Sequence, residues 1–104
     1  MKPAIRSALA QADIDSALEY YSVEAAHAVD GFIDALEKAT AHIERSPGTG
    51  SPRYAHGLNI PRLRFWSLTR YPYALFYIEH KDHLDVIRVV HLLRDIPATL
   101  QQEE

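Results

Sequence analysis

The sequence predicts an α+β domain, an antiparallel helical hairpin packed on a three- to four-stranded antiparallel sheet. Three observations carry this reading. Apolar residues recur every three or four positions through the first 45 residues, alternate every two from residue 63 to residue 91, and are interrupted between by a Pro/Gly-rich stretch. The 104 residues, 47% hydrophobic and 24% charged, suffice for one thin core and place the chain outside the disordered class. We take residues 1–97 as a single domain and 98–104 as a short acidic tail. No cysteine is present, so disulfides and thiolate chemistry are excluded. No apolar run approaches a membrane span of about 18 residues and no signal peptide is visible, so a cytoplasmic location is expected.

The elements follow in order. Residues 1–6 fit a short edge strand, where Pro3 is tolerated because some edge amides go unpaired. Ala10, Ile14, Ala17, Leu18 and Tyr21 give residues 8–21 a helical stripe, with Gln11, Asp13, Asp15 and Glu19 mostly on the wet side. Ser22 reads as the N-cap of a second helix over residues 23–45, with Glu24 in its first turn. The apolar stripe there is Val29, Phe32, Ile33, Leu36, Thr40 and Ile43, and Gly31 suggests a close helix–helix approach. Ser46-Pro47-Gly48 ends the helix and opens a loop reaching about Pro61. Strands are expected over residues 63–68, 73–79 and 84–91, joined by turns at Arg70-Tyr71-Pro72 and His80-Lys81-Asp82-His83.

The last two strands carry apolar residues on both alternating faces. In one, Leu75 and Tyr77 oppose Ala74, Phe76 and Ile78; in the other, Ile87 and Val89 oppose Val86 and Val90. A helical hairpin covers one face only. The sequence therefore predicts a bare apolar face that calls for a protein partner.

Net charge is −3, but it is unevenly spread. Residues 1–46 hold four basic and eight acidic side chains, whereas residues 53–94 hold seven basic and three acidic. Proteins that live on phosphate backbones carry a strong basic excess, so direct nucleic-acid binding is disfavoured.

Among chemistry-bearing residues, His80 and His83 flank a turn with no obviously convergent carboxylate or third histidine. Zinc needs three or four ligands, so they read as a solvated hairpin and no metal or cofactor is expected. His27 and His42 are too far apart to share a ligand, and nothing marks His56. Arg88, His91 and Arg94 match what acid–base RNA cleavage would use: an imidazole to move a proton and guanidinium groups to hold phosphorane charge. Arg88 and His91 have opposite strand parity, however, which favours a structural arginine paired with an acidic neighbour. Tyr20, Tyr21, Tyr71, Tyr73, Tyr77 and Trp66 read as packing aromatics rather than base-stacking ones. Gly48 and Gly50 follow a helix, so they form no phosphate-binding loop.

Several segments together resemble a known family. Ile14-Asp15-Ser16-Ala17-Leu18-Glu19-Tyr20-Tyr21, Ala25-Ala26 and Phe32-Ile33-Asp34-Ala35-Leu36 are similar to the helical hairpin of the RelE/ParE toxin superfamily. Trp66-Ser67-Leu68, Tyr71, Leu75-Phe76-Tyr77, Val86-Ile87-Arg88-Val89-Val90-His91 and Arg94-Asp95-Ile96-Pro97 resemble its ParE branch in order and spacing. The resemblance spans roughly residues 8–97 and is most specific in the last strand. It implies the toxin of a bacterial type II toxin–antitoxin module, held inactive by a cognate antitoxin whose C-terminal segment wraps it. It further implies inhibition of DNA gyrase by binding, without catalysis. The RelE branch implies instead a ribosome-dependent mRNA endonuclease, with His91 as acid–base and Arg88 and Arg94 as phosphate clamps. A third reading is a homologue that binds its antitoxin but no longer poisons a target. Antitoxin or target contacts are expected at Arg62, Arg64, Arg70, Phe76, Ile78, Val86, Arg88, Val90 and Arg94.

Overall fold

In a computed structural model, which describes residues 1–93 and 96–100, four strands form one sheet in the order β1-β4-β3-β2. They are β1 (Ala4–Arg6), β2 (Leu63–Ser67), β3 (Tyr73–Glu79) and β4 (Leu84–His91). The pairs β2–β3 and β3–β4 are antiparallel, as alternation and short turns dictate. The leading strand departs from the expected antiparallel sheet: β1 lies parallel to β4, with Ala4 opposite Leu84 and Arg6 opposite Val86. A crossover through two helices permits this, because it returns the chain to the sheet in the same direction.

Helix α1 (Ala8–Glu24) begins at Ser7, whose Oγ accepts from the amide of Ala10 at 3.0 Å and donates to the carbonyl of Ile87 at 2.8 Å. One residue thus caps the helix and fixes it to the sheet. Ser22 is not the expected N-cap. It lies inside α1, and its hydroxyl donates to the Glu19 carbonyl one turn back, a bond available to any exposed helical serine. The break comes at Ala25, followed by a 3-10 turn at Ala26–Ala28, and helix α2 is Val29–Arg45. Its buried stripe is Phe32, Ala35, Leu36, Ala39 and Ile43, so Ile33, expected in the core, faces outward. Gly31 does serve a close approach, but to the sheet side: the Tyr71 hydroxyl passes over it to donate to the Ala28 carbonyl at 2.9 Å.

Both helices pack on one sheet face. Ala10, Ile14, Ala17, Phe32, Leu36 and Ile43 meet Tyr73, Leu75, Tyr77, Leu84, Val86 and Val89 there. Val86 and Val89 lie on the same face because β4 bulges: Phe76 pairs with Arg88 and Tyr77 with Val86, leaving Ile87 unpaired. This corrects the expected parity, since the extra residue shifts everything after it by one.

Among the described residues, the face expected to be bare is covered by the chain itself. Ala74, Phe76 and Val90 are buried with Leu63 beneath the chain's own loop residues Tyr54, Ala55, Leu58 and Ile60, and beneath Ile96 and Leu100. The last two belong to a short helix α3 (Ile96–Leu100). The loop is tied to the sheet edge by two backbone bonds between Ser51 and Phe65, at 2.9 and 3.0 Å. Burying a side chain the size of Phe76 contributes roughly 1.5–3 kcal/mol, so a loop that shields such a face is stabilising despite lacking periodicity.

Candidate functional site

Beyond the point where β1 ends, the outer edge of β4 is closed by α1. The Asp13 carboxylate accepts from Nε and Nη2 of Arg88, each at 2.8 Å, and from the amide of Val89 at 2.9 Å. Both side chains are nearly enclosed, 16% exposed for Asp13 and 10% for Arg88. Asp13, expected on the wet side, is therefore the acidic partner that turns Arg88 into a structural arginine. Its carboxylate does two jobs at once, neutralising the guanidinium and replacing the strand partner that Val89 lacks.

Beside this pair, α1 and the end of β4 enclose an open cleft of about 370 Å³. Ala17, Tyr20, Tyr21, Tyr73, His91 and Leu93 are among its walls. The Tyr21 ring meets Tyr20, Tyr71 and Tyr73 edge-on, at centroid distances of 5.4 to 6.3 Å. Burial, then the neighbouring Tyr73, Tyr71 and Tyr20, pushes the Tyr21 phenol up from its usual value, so it stays a neutral donor. His91 packs edge-on against Tyr73 at 5.0 Å, and its Nδ1 accepts from the amide of Leu93 at 3.1 Å. A neutral imidazole whose Nδ1 lone pair is taken by an amide carries its proton on Nε2, and the ring lines the cleft.

The other expected site residues fall in three groups. Phe76, Val86 and Val90 are buried inside the fold and Ile78 is half-buried. Arg64 is committed inwardly, its Nη1 donating to the carbonyls of Gly48 and Gly50 at 3.1 and 2.7 Å. Arg62 and Arg70 are exposed, and both hold left-handed backbone, with φ of 67° and 70°. Non-glycine residues in that region cost of order 1–3 kcal/mol and concentrate at functional surfaces. Arg94 lies outside the described residues.

Three features escaped sequence reasoning. Tyr20, Val23 and Leu93 are large apolar residues left 58%, 76% and 86% exposed. Tyr20 and Val23 stand one helical turn apart at the cleft end of α1. The Leu92-Leu93 pair was the available signal, since two leucines leaving a strand cannot both enter one core. The third feature is at the β3–β4 turn, where Asp85 meets both histidines. His80 Nε2 lies 2.8 Å from Asp85 Oδ2, and His83 Nε2 lies 3.3 Å from Asp85 Oδ1. The expectation of no convergent carboxylate is corrected here: the turn is tight enough to fold the first residues of β4 back onto it.

A hairpin of helices lies on one face of a small sheet, with an aromatic cleft beside the last strand. The family model for the ParE toxin of the type II toxin–antitoxin system parDE matches residues 5–96, and the chain belongs to that family. Its fold is shared with a chain of a chromosomal ParDE toxin–antitoxin system from P. aeruginosa, at 16% identity and a TM-score of 0.72. That match covers 88% of this chain and 97% of the other. No curated protein matches the sequence. Among the described residues, no helix is long and apolar enough to cross a membrane.

Proposed function

We propose that this toxin is neutralised by a cognate antitoxin seated on the α1–β4 cleft and, once released, inhibits DNA gyrase by binding. The observation that carries the non-catalytic part is the state of the two residues an RNA-cleaving site would need. Arg88 is engaged with Asp13, and the Nδ1 lone pair of His91 is taken up by the Leu93 amide rather than offered as a base. Gyrase as the target rests on membership of the ParE family.

The antitoxin surface rests on Tyr20, Val23 and Leu93. Tyr20 and Leu93 line the tyrosine cleft and Val23 follows Tyr20 by one helical turn; side chains this apolar and this exposed are what a partner's apolar anchors would cover. Arg70 and Arg62, exposed and in left-handed backbone, are the cations for acidic groups of antitoxin or target, Arg62 while its Nη1 donates to the Glu79 carbonyl at 3.0 Å.

Induced expression without the antitoxin tests the reading. Growth arrest with gyrase-linked DNA breaks and intact mRNA, unchanged in His91→Ala, is expected. Codon-linked mRNA cleavage that His91→Ala abolishes would establish the endonuclease instead. Expression without arrest would mark a chain that binds its antitoxin only.

A further inference from the structure

We infer that His80, His83 and Asp85 form a binding site for a divalent transition metal ion of the zinc class at the β3–β4 turn. Their ligand atoms lie within 4.8 Å of one another, close enough for modest side-chain rotation to bring them onto one ion. The two imidazole rings are stacked, with centroids 4.7 Å apart, so both Nε2 atoms face the same carboxylate. Two imidazoles and one carboxylate are a ligand set for zinc, nickel or copper, and the wrong one for magnesium or calcium, which take oxygen.

The orientation of His83 supplies the second argument. Its Nδ1 lies 2.6 Å from Asp82 Oδ1, and an ionised carboxylate only accepts, so Nδ1 is the protonated nitrogen. The Nε2 atom then lies 3.3 Å from an Asp85 oxygen, a gap that a proton or a metal ion can bridge. A carboxylate on the far nitrogen of a metal-bound histidine is also the usual outer support of such sites, fixing the tautomer and raising the ligand's basicity. The His80-Lys81-Asp82-His83-Leu84-Asp85 stretch thus holds three ligands and one supporting residue within six positions. All four are solvent-accessible, with a coordination position left for water or for a donor from a partner.

The test uses the purified full chain and Zn²⁺ alone, in competition with a chromophoric chelator, with Co²⁺ absorption as a report on geometry. One ion per chain is expected. His83→Ala and Asp85→Asn should each weaken binding more than tenfold, and Asp82→Asn by about tenfold through the supporting bond. His27→Ala and His56→Ala, which remove exposed histidines elsewhere, should leave it unchanged. Circular dichroism without metal confirms that the variants fold, and the isosteric Asp85→Asn carries the comparison should an alanine variant fail. Absence of stoichiometric binding, or binding that survives His83→Ala and Asp85→Asn, or that moves with the control histidines, overturns the inference.

Discussion

Removing the Asp13 carboxylate should be among the costliest single changes in this protein. Breaking an enclosed ion pair by deleting one partner typically costs 3–5 kcal/mol, because the remaining charge is left unpaired. The two side chains retain 16% and 10% exposure, which lets water moderate the loss and favours the lower end of that range. Asp13→Ala also takes the acceptor from the Val89 amide, adding about 1 kcal/mol at a strand edge that water partly reaches. The expected total is about 4 kcal/mol, a large share of the roughly 5–15 kcal/mol that holds a small domain together. For a chain of this size that corresponds to a fall in Tm on the order of 15 °C or more. Urea unfolding of the full chain by circular dichroism measures it directly. Asp13→Leu combined with Arg88→Met should recover most of the loss, since an apolar pair leaves no stranded charge. A loss below about 1 kcal/mol for Asp13→Ala would show that the pair behaves as a surface bridge. A double variant no more stable than the sum of the single changes would show that the two residues are not coupled. Either result refutes the structural role assigned to Arg88.

Gly50→Ala should destabilise by about 1–3 kcal/mol in the same assay, because a methyl group there would collide with the Tyr77 hydroxyl and crowd the Phe65 carbonyl. Tyr77→Phe should cost about 1–2 kcal/mol by stripping the Pro47 carbonyl of its 2.6 Å donor. Burial, the largest influence, holds the Tyr77 phenol above its ordinary value of 10.0. The unfolded chain therefore loses this proton first, and stability should be full below about pH 10 and fall as pH rises through the folded value. Tyr77→Phe should flatten that alkaline decline in a pH series of thermal melts. At the cleft, Tyr20→Ala and Leu93→Asp should each weaken antitoxin binding by tenfold or more, measured by calorimetry, with unfolding midpoints unchanged. Equal affinity in both variants would place the antitoxin elsewhere.

The strands were legible because they obey local rules. Tyr73–Glu79 and Leu84–His91 begin and end where alternation meets turn residues, and the structure keeps both limits. The loop over Phe76 was not legible. Tyr54, Ala55, Leu58 and Ile60 have neither helical nor strand spacing, and only the three-dimensional position of Phe65 and Phe76 shows what they cover. The 3-10 turn after α1 was hidden for a related reason. Residues 22–28 are compatible with either helix end, and Ser22 offered a capping side chain that its neighbours left inside the helix. Asp13 was misassigned because helical spacing says which side a residue faces, not whether a strand edge waits there.

The bulge at Ile87 connects these cases to function. Two-residue parity separated Arg88 from His91 and also placed Val86 opposite Val89; the bulge at Ile87 overturns the second statement and, lying before both Arg88 and His91, leaves the first as it stood. A single unpaired position lets β4 keep apolar contacts with both covers, Val86 and Val89 toward the helices and Ile87 and Val90 toward the loop and α3. Arg88, next to the bulge, is then captured by α1 together with the Val89 amide. The residue that most resembled a phosphate clamp is held by Asp13 where α1 closes the sheet edge. The features open to a partner lie on the outside: the tyrosine cleft with Leu93, the exposed arginines Arg62 and Arg70, and the histidine turn. Substitutions confined to those surfaces should change partners while leaving the fold intact, whereas a single substitution at Asp13 or Arg88 should weaken every activity together through lost stability.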